Sequence, residues 1–303
     1  MSLPDDPLSQ ILSIAGAQAV VSTGLEARGR WAVSLPPLQA LKCNAIRTGS
    51  CALEVQGRRW FLQTGDCFLV APGLAFVLGT DLTSRPRPAD EVFAGCGDMP
   101  FARLDAGAGP DMVCLGGRMD LPLSAQLLIE ALPPVSVIAA DNPAAARIGW
   151  LLDRLEAEQR EGRPGATAMS AQIMQMVFIE LIRCVPGTDG SGWLAALSDP
   201  RIGAALRAMH REPGYNWQLE DLAEISHLSR SRFAARFRAS VGRSPIEYLT
   251  NLRMMLARKA LARPGASVST VAAELGYASE SAFSFAFRRV TGTTPRQAAR
   301  EAA

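Results

Sequence analysis

The sequence predicts an α+β protein of two domains, in which a β-rich domain and a helical hairpin precede an all-α domain. Three observations lead to this prediction. Short apolar runs broken by glycine fill much of the chain before residue 120, helical periodicity replaces them after Leu121, and the last third repeats itself at an offset of 49 to 50 residues. A chain of 303 residues is long enough for two such domains.

The first domain is predicted as antiparallel strands from about residue 31 onward. Apolar runs at 52–55, 60–62 and 67–71 each end at a turn that contains glycine, which is the pattern of strands joined by hairpins. The stretch 83–110 is rich in Pro, Gly, Ala and Asp and predicts loops with one or two further strands, and 112–115 predicts another strand. A small β-barrel or sandwich follows.

Two amphipathic helices follow the strands. One is predicted from about Pro143 to Gly162, with an apolar stripe that includes Ile148 and Leu155, and the second runs over 168–184. The Pro-Gly turn between them makes an αα-hairpin. Two interpretations stay open: the hairpin packs only on its own β-domain, or it buries a second apolar face against another copy of the chain. We expect a homodimer.

Charge divides the chain at nearly the same place as its periodicity. Residues 1–198 carry 15 basic and 20 acidic side chains, net −5, whereas residues 199–303 carry 16 basic and 9 acidic ones, net +7. The total of +2 hides this division. Because nucleic-acid-binding domains usually carry a basic excess, the last third is the segment expected to bind nucleic acid.

The cysteine distribution and the apolar runs indicate the compartment. All six cysteines precede residue 185, and Met1 to Gln10 has no signal-peptide pattern, so we expect reduced thiols in the cytoplasm. No apolar run reaches the roughly 18 to 20 residues of a membrane-spanning helix, and no membrane partner is expected.

The basic third contains two copies of one pattern. Each copy has a helix (219–226; 269–275), a tight turn, an N-cap serine, and a second helix (230–240; 280–290) closed by glycine. A small residue in the first helix allows close packing, and two phenylalanines four residues apart place their rings on one face of the second helix. This is the layout of a helix-turn-helix, whose second helix enters the major groove of DNA. The matching residues are Leu222-Ala223, Ser229, Phe233, Phe237, Gly242 and Pro245, repeated as Val271-Ala272, Ser279, Phe283, Phe287, Gly292 and Pro295.

With these residues the last 110 or so positions resemble the DNA-binding domain of AraC/XylS-type transcription regulators. The resemblance is also carried by Trp217 to Ala223, Val241 to Leu249, Arg253-Met254 and Gly276 to Phe283. It implies seven helices, with two helix-turn-helix units joined by a long helix at about 245–261, that read successive major-groove segments of promoter DNA. It further implies RNA polymerase as a partner and activation more often than repression.

The family's groove-facing positions are carried over residue by residue. Base reading by the first recognition helix falls to Arg232 or Arg236, since the small residues there reach only thymine methyls. Glu280 either accepts from cytosine N4 or caps its own helix, while Arg288, Arg289 and Arg243 suit phosphate contacts. The predicted DNA-binding residues are Arg230, Ser231, Arg232, Ala234, Ala235, Arg236, Glu280, Ser281, Phe285, Arg288 and Arg289.

The β-rich domain resembles the cupin-like sensor found in one branch of this family. The residues that carry this resemblance are 49–53, 65–70, 114–118, and Leu127-Leu128 with Leu132-Pro133-Pro134. Catalytic cupins hold a metal with histidines, but residues 1–209 contain no histidine, so a two-histidine metal site in the barrel is excluded. No catalytic residue, metal or cofactor is expected, and the chain is predicted not to be an enzyme.

Two hypotheses address the signal that the sensor receives. A small organic effector would lie among apolar strand residues in the barrel, oriented by polar groups such as Lys42, Asn44, Arg47 and Trp60. Alternatively a cysteine is oxidised, with Cys43 as the candidate because Lys42 beside it lowers the pKa of a thiol. The simpler explanation of each cysteine is a small buried hydrophobe in a strand. We favour the organic effector.

The predicted boundaries are 1–140 for the sensor, 141–185 for the dimerisation hairpin, 186–196 for a linker and 197–303 for the DNA-binding domain. Two other functions compete with a sequence-specific regulator. One is a cupin-type enzyme with a DNA-binding tail, and the other is an architectural DNA-compacting protein with little sequence preference.

Overall fold

The predicted strands form two sheets in the computed structural model of the chain, which describes residues 6–83, 85–97, 99–104, 111–121, 125–130, 132–185 and 192–301. The strands are β1 (Gln18–Ala27), β2 (Ala32–Leu35), β3 (Ala40–Thr48), β4 (Ser50–Val55), β5 (Arg58–Gln63), β6 (Cys67–Val70), β7 (Phe76–Gly79), β8 (Arg87–Pro88), β9 (Phe101–Leu104), β10 (Met112–Asp120) and β11 (Val135–Ile138). Six strands pair in the order β11-β6-β3-β10-β1-β9, and five in the order β5-β4-β7-β2-β8.

The two sheets share one apolar core. Leu25 and Ile46 of the first sheet and Leu53 and Leu78 of the second are buried in a single cluster. Most pairs are antiparallel, while β9 pairs with β1 and β8 with β2 in parallel. This confirms the β-rich first domain, although β1 begins before the predicted start and β10 is longer than predicted.

The predicted helical hairpin is formed by α4 (Ala145–Glu161) and α5 (Ala166–Arg183). Gly162 ends α4 with a φ of 57°, a left-handed conformation that favours glycine. Helix α5 packs on the six-stranded sheet, where the Gln175 side chain accepts a hydrogen bond from the N–H of Ala19 at 3.1 Å. A Cβ at Gly117 would lie 2.7 Å from Met174 Sδ, so this glycine permits the close approach. One face of the hairpin therefore packs on its own β-domain.

The rest of the described chain adds mainly helices, as predicted for the last third. The bounds are α1 (Pro7–Ala15), α2 (Ala89–Phe93), α3 (Gln126–Glu130), α6 (Trp193–Ser198), α7 (Ile202–Arg211), α8 (Leu219–Ile225), α9 (Arg230–Val241), α10 (Pro245–Leu261), α11 (Val268–Glu274), α12 (Glu280–Thr291) and α13 (Pro295–Glu301). Residues 186–191 of the predicted linker lie outside the described residues.

The sequence repeat appears as two similar helix pairs, α8–α9 and α11–α12, on either side of α10. The rings of Phe233 and Phe237 lie 5.6 Å apart, and those of Phe283 and Phe287 lie 5.7 Å apart. All four rings are buried. The expected arrangement of two helix-turn-helix units joined by a long helix is confirmed.

Each of the two tight turns contains one residue with a positive φ. His227 has a φ of 51°, and Gly276, at the matching position of the second copy, has a φ of 77°. A Cβ at Gly276 would lie 2.1 Å from the carbonyl oxygen of Gly214, so glycine is required there by both conformation and space. Arg253 of α10 donates from Nε to the carbonyl of Pro213 at 2.6 Å. The loop between α7 and α8 is thus held against the second turn.

The chain divides into two compact units that are discontinuous in sequence, unlike the contiguous segments predicted. One unit comprises 18–121 and 132–185, and the other comprises 1–17, 122–131 and 186–303. Helix α1 belongs to the helical unit because it packs on α7 and α10 and buries Ile11 completely. The Gln10 carboxamide donates to the carbonyl of His210 at 3.1 Å, and Lys259 Nζ donates to that of Ser13 at 2.8 Å.

None of the helices in the described ranges combines the length and the apolar composition that a membrane span requires.

Candidate functional site

The first recognition helix, α9, exposes the residues predicted to face DNA. Its core-facing rings, Phe233 and Phe237, are buried, so the opposite side of the helix faces solvent. Ala234 is half-buried, and the other predicted residues of this helix are exposed, namely Arg230, Ser231, Arg232, Ala235 and Arg236. Ser229 precedes the helix in extended conformation and Gly242 follows it in the left-handed one. The local sequence thus fixes both ends of the exposed face.

The arginines of α9 differ in their ion pairs. Arg230 contacts the carboxylate of Glu220 on α8, and Arg236 Nη2 lies 2.6 Å from Asp199 Oδ2. Burial raises the pKa of Asp199, but the N–H of Ile202 and the Arg236 guanidinium outweigh it and hold that pKa below its ordinary value. Arg232 has no ion pair among the described residues. Its guanidinium therefore has no acidic group to displace before it contacts a base.

The second recognition helix, α12, also buries two phenylalanine rings and exposes its opposite side, but its exposed side includes an acidic and an aromatic residue. Ser279 caps it by accepting a hydrogen bond from the N–H of Ala282 at 3.1 Å. The predicted contacts on this helix are all exposed, and the Phe285 side chain is 72% exposed although it is aromatic. An exposed aromatic ring suits an apolar contact with a thymine methyl group. These predicted contacts are Glu280, Ser281, Phe285, Arg288 and Arg289.

Two predicted contacts meet other protein groups. Arg243, expected at a phosphate, contacts the carboxylate of Glu130 on α3. Arg296 Nη2 lies 3.9 Å from Glu280 Oε1, and both side chains are well exposed. An exposed pair of this kind contributes about 0 to 1 kcal/mol, so Glu280 remains accessible to a base.

The β-unit contains a cavity of about 310 Å³ between its two sheets. Its polar lining comes from the six-stranded sheet and includes Ser22, Lys42, Asn44 and Arg118. The opposite sheet contributes only apolar side chains among the described lining residues, namely Val33, Leu35, Phe76 and Leu78. Apolar walls with a few polar groups are typical of small-molecule sites.

Lys42 is the most unusual residue of this cavity because it is cationic and buried. Its Nζ donates to Ser22 Oγ at 2.7 Å. Burial lowers the pKa of Lys42, and the neighbouring Arg118 lowers it further, against the opposing effect of Cys43 and Cys114. Burial therefore disfavours the charged form of Lys42, and no carboxylate among the described residues forms an ion pair with it.

The structure brings together only part of the predicted effector set. Lys42 and Asn44 line the cavity, whereas Cys43, between them on β3, faces α5 and contacts Met174 Sδ at 3.8 Å. Arg47 forms ion pairs with Asp153 and Glu156 of α4 on that outer side. Trp60 packs against the apolar core of the β-unit and does not line the cavity.

The expectation that Lys42 activates Cys43 is wrong. Burial raises the pKa of Cys43 to about 11, and this outweighs the opposite effect of Lys42. Burial likewise raises the pKa of Cys51 and of Cys67 to about 12, and it raises the pKa of Cys114 as well. Because the thiolate is the reactive form, these buried thiols fit the packing interpretation and not redox sensing.

The outer side of the α4–α5 hairpin is apolar and open. A groove of about 540 Å³ lies between the two helices, and Trp150 at its edge is 65% exposed. Met176 is also exposed, and Glu180 at the rim pairs with Arg147 and Arg183. We call the surface formed by Trp150, Met176 and Ile179 the hairpin groove.

Arg118 and Ser22 line the cavity but were not among the predicted effector contacts. Arg118 is the cross-strand partner of Lys42, and Ser22 lies on β1, which the prediction did not include. Arg118 belongs to the segment 114–118 that carries the cupin resemblance, but its pairing with β3 depends on a strand register that the sequence does not show. In the part of the chain that the structure describes, no three His, Cys, Asp or Glu side chains come together as a metal site.

Two family models match the chain. The model described as Cupin matches residues 6–185, and the model described as Helix-turn-helix domain matches residues 222–301. The first covers more than half of the chain.

Several named relatives match almost the whole length of the chain. The chain is 37% identical over 297 residues to a protein of Streptomyces lividans named as an AraC-like transcription regulator, and the match covers 96% of each chain. A protein of Streptomyces antibioticus with the same name is 38% identical over 297 residues, covering 96% of this chain and 97% of the relative. RclR of Escherichia coli K12, named as an RCS-specific HTH-type transcriptional activator, is 29% identical over 299 residues, covering 96% and 95%.

Proposed function

Since the chain belongs to the AraC-like transcription regulators, with a cupin domain ahead of a DNA-binding helix-turn-helix domain, we propose that a small organic effector in its β-unit controls promoter binding. The relatives bear the names of regulators and not of enzymes. In keeping with those names, the proposed role is binding without catalysis, carried out in the cytoplasm.

One observation carries the DNA-binding part of the proposal. Two exposed recognition helices, α9 and α12, flank one continuous helix, and both present arginine on their exposed sides. The hydrogen bond from Arg253 to Pro213 and the close approach of Gly214 to Gly276 support a fixed spacing between the two helix-turn-helix units. A rigid pair of this kind suits two successive major-groove segments on one side of the duplex.

The effector part rests on the cavity between the sheets. Its enclosure by apolar walls and its few polar groups are the features of a ligand site. We further propose RNA polymerase as a partner and activation as the outcome, in line with the activator named among the relatives.

The homodimer is proposed through the hairpin groove. The exposed Trp150 and Met176 are large apolar side chains in a rim of charged groups of both signs, which suits a self-complementary contact. The opposite face of the hairpin is occupied by the chain's own sheet, so the groove is the face available to a second copy.

Selection from a random duplex library with the full-length protein tests the DNA-binding proposal. The expected result is an enriched sequence whose affinity exceeds that of a scrambled duplex by at least about a thousandfold. Affinity for the enriched site should also fall steeply with salt, since arginine–phosphate contacts release counterions. Equal affinity for both duplexes would support the architectural alternative and overturn the regulator.

A further inference from the structure

The cavity of the β-unit contains a cation without a counter-charge. Lys42 is 8% exposed, donates to the neutral Ser22 hydroxyl, and has no ion-pair partner among the residues that the structure describes. Of the described residues that line the cavity, two are cationic and none is acidic. A buried ammonium is strongly unfavourable unless an anion pairs with it.

A glycine makes room for the Asn44 carboxamide beside this cation. On β10, Gly116 is paired with Asn44 of β3 on one side and with Ser22 of β1 on the other. A Cβ at Gly116 would lie 2.2 Å from Asn44 Oδ1. The missing side chain leaves room for the Asn44 carboxamide, and the Lys42 side chain of β3 crosses β10 to reach Ser22 of β1.

Two further groups can donate to an anion at the same place. Arg118 of β10 lies opposite Lys42 of β3 in the strand register. The Arg118 guanidinium also lies 3.2 Å from the Asp120 carboxylate, and both of these side chains are half-exposed. Solvent screens such a pair, so the guanidinium retains donors for another acceptor. The Asn44 carboxamide has no hydrogen-bond partner in the described part of the chain, so its N–H groups are also available.

The opposite side of the cavity has contrasting chemistry. Val33, Leu35, Phe76 and Leu78 of the second sheet face the cationic groups with hydrocarbon alone. An inorganic anion would satisfy Lys42 and leave this wall without contacts. A neutral hydrocarbon would satisfy the wall and leave Lys42 unpaired.

We propose that this cavity binds a small organic carboxylate, with the carboxylate held by Lys42 and Asn44 and supported by Arg118, and with the hydrocarbon part against the second sheet. The volume of about 310 Å³ suits a compact acid such as an aromatic or a medium-chain aliphatic one. This inference rests on the proposed effector role and names the chemical class of the effector.

Calorimetry on the full-length protein tests the proposal with acids and matched neutral alcohols: benzoate with benzyl alcohol, hexanoate with 1-hexanol, and octanoate with 1-octanol. At least one acid should bind saturably, and at least about tenfold more tightly than its alcohol, because the charged hydrogen bonds are lost in the alcohol. Absence of binding by every acid, or equal affinity of acid and alcohol throughout, overturns the proposal. Inorganic phosphate binding as tightly as the best acid also overturns it, since the apolar wall would then contribute nothing.

Lys42→Met keeps an unbranched side chain of similar length and removes its charge. We expect the affinity of this variant for the acid to fall at least about tenfold, and its affinity for the alcohol to stay the same. Arg59→Met, on the surface of β5, is the control and should change neither affinity. Unchanged acid binding by Lys42→Met overturns the assignment. The acid–alcohol comparison on the unmodified protein decides the proposal independently of how the variant folds.

These experiments separate the ligand class from the proposed function. Binding is measured without DNA, and the affinity for the selected duplex is measured with and without the acid. If an acid binds through Lys42 but leaves DNA affinity and transcription unchanged, the ligand class stands and the effector role fails.

Discussion

His210 lies in a buried chain of hydrogen bonds within the helical unit. The indole N–H of Trp193 donates to the Tyr248 hydroxyl at 2.7 Å, and that oxygen lies 2.6 Å from His210 Nε2. Since an indole N–H can only donate, the Tyr248 hydroxyl is left to donate to Nε2, and Nδ1–H then donates to Gln10 Oε1. A proton on Nε2 would disrupt this arrangement. The folded protein therefore favours neutral His210.

The pKa of His210 predicts a pH dependence of stability. Burial lowers it to about 3, below the unfolded value of about 6.5. Because the folded pKa is depressed, this contribution is fully present above about pH 6.5 and is lost as the pH falls toward 3, by about 2 kcal/mol between pH 7 and pH 5. Urea unfolding of wild type and His210→Gln at both pH values measures it. The variant should lack this loss, whereas His227→Gln, at the exposed histidine, should retain it; equal losses in wild type and His210→Gln would contradict the account.

Arg232 and Arg236 were equivalent candidates for base reading in the sequence, and the structure distinguishes them. Arg236 is paired with Asp199, while Arg232 is exposed and has no ion pair among the described residues. A base contact by Arg236 would first have to break that pair. We therefore expect Arg232 to carry more of the sequence preference.

Substitution of single arginines tests this difference on the selected duplex and its single-base variants. Arg232→Ala should cost about 1 to 3 kcal/mol of binding free energy and relax the preference at one base position. Arg289→Ala should weaken all duplexes alike, since a phosphate contact positions without specifying. A larger loss of preference in Arg236→Ala than in Arg232→Ala would reverse the two roles.

At the scale of elements, the α4–α5 hairpin has two faces with different partners. Its inner face is fixed to the sheet by buried side chains such as Met174 and Phe178, and by the ion pairs of Arg47. Its outer face is the hairpin groove. Deletion of the hairpin would expose the sheet, so only point substitutions in the groove address association.

Trp150→Glu should convert the proposed dimer to a monomer, because a carboxylate would replace a large apolar side chain in the proposed contact. Sedimentation equilibrium of the full-length protein measures the change. Arg160→Glu, which alters charge on α4 away from the described groove lining, serves as the control. A dimer that survives Trp150→Glu unaltered would place the interface elsewhere.

The elements that the sequence predicted well are those with local signals. The helix-turn-helix copies are delimited by N-cap serines, phenylalanines four residues apart and closing glycines, all of which act within one helix. The effector set was harder to predict because neighbours along a strand point to opposite faces. Lys42 and Cys43 are adjacent in sequence but lie on opposite sides of β3, and Arg47 shares the side of Cys43.

Helix α1 is absent from the prediction although its capping residues are visible. The Asp6 side chain accepts from the N–H of Leu8 at 3.1 Å, Pro7 occupies the first turn, and Gly16 is left-handed. These signals indicate a helix but do not indicate its partner. Its contacts with α7 and α10 join residues about 200 positions apart, and no local pattern encodes them.

At the scale of the whole molecule, the net charge of the chain says little, because the basic excess lies on the last third. The division into units says more, because the helical unit requires a segment from the opposite end of the chain. When α1 packs on this unit, Ile11 becomes buried and the Gln10 side chain forms a hydrogen bond with His210.

Ile11→Ala in the full-length protein should therefore lower the stability of the helical unit by about 2 to 5 kcal/mol, as for other buried aliphatic side chains. Denaturant unfolding followed together with DNA affinity measures it. Ser9→Ala, at an exposed position of the same helix, should change stability by less than about 0.5 kcal/mol. Equal effects of the two substitutions would show that α1 contributes little to the unit.

The position of α1 also limits how this regulator can be recombined with others. The chain passes between the units at 17/18, 121/122, 131/132 and 185/186. A chimera cut near residue 186 would join a foreign DNA-binding domain to a helix shaped for α7 and α10 of this chain. A working chimera therefore requires that α1 be exchanged together with the last third of the chain. The segments to exchange are defined by the fold and not by a single cut in the sequence.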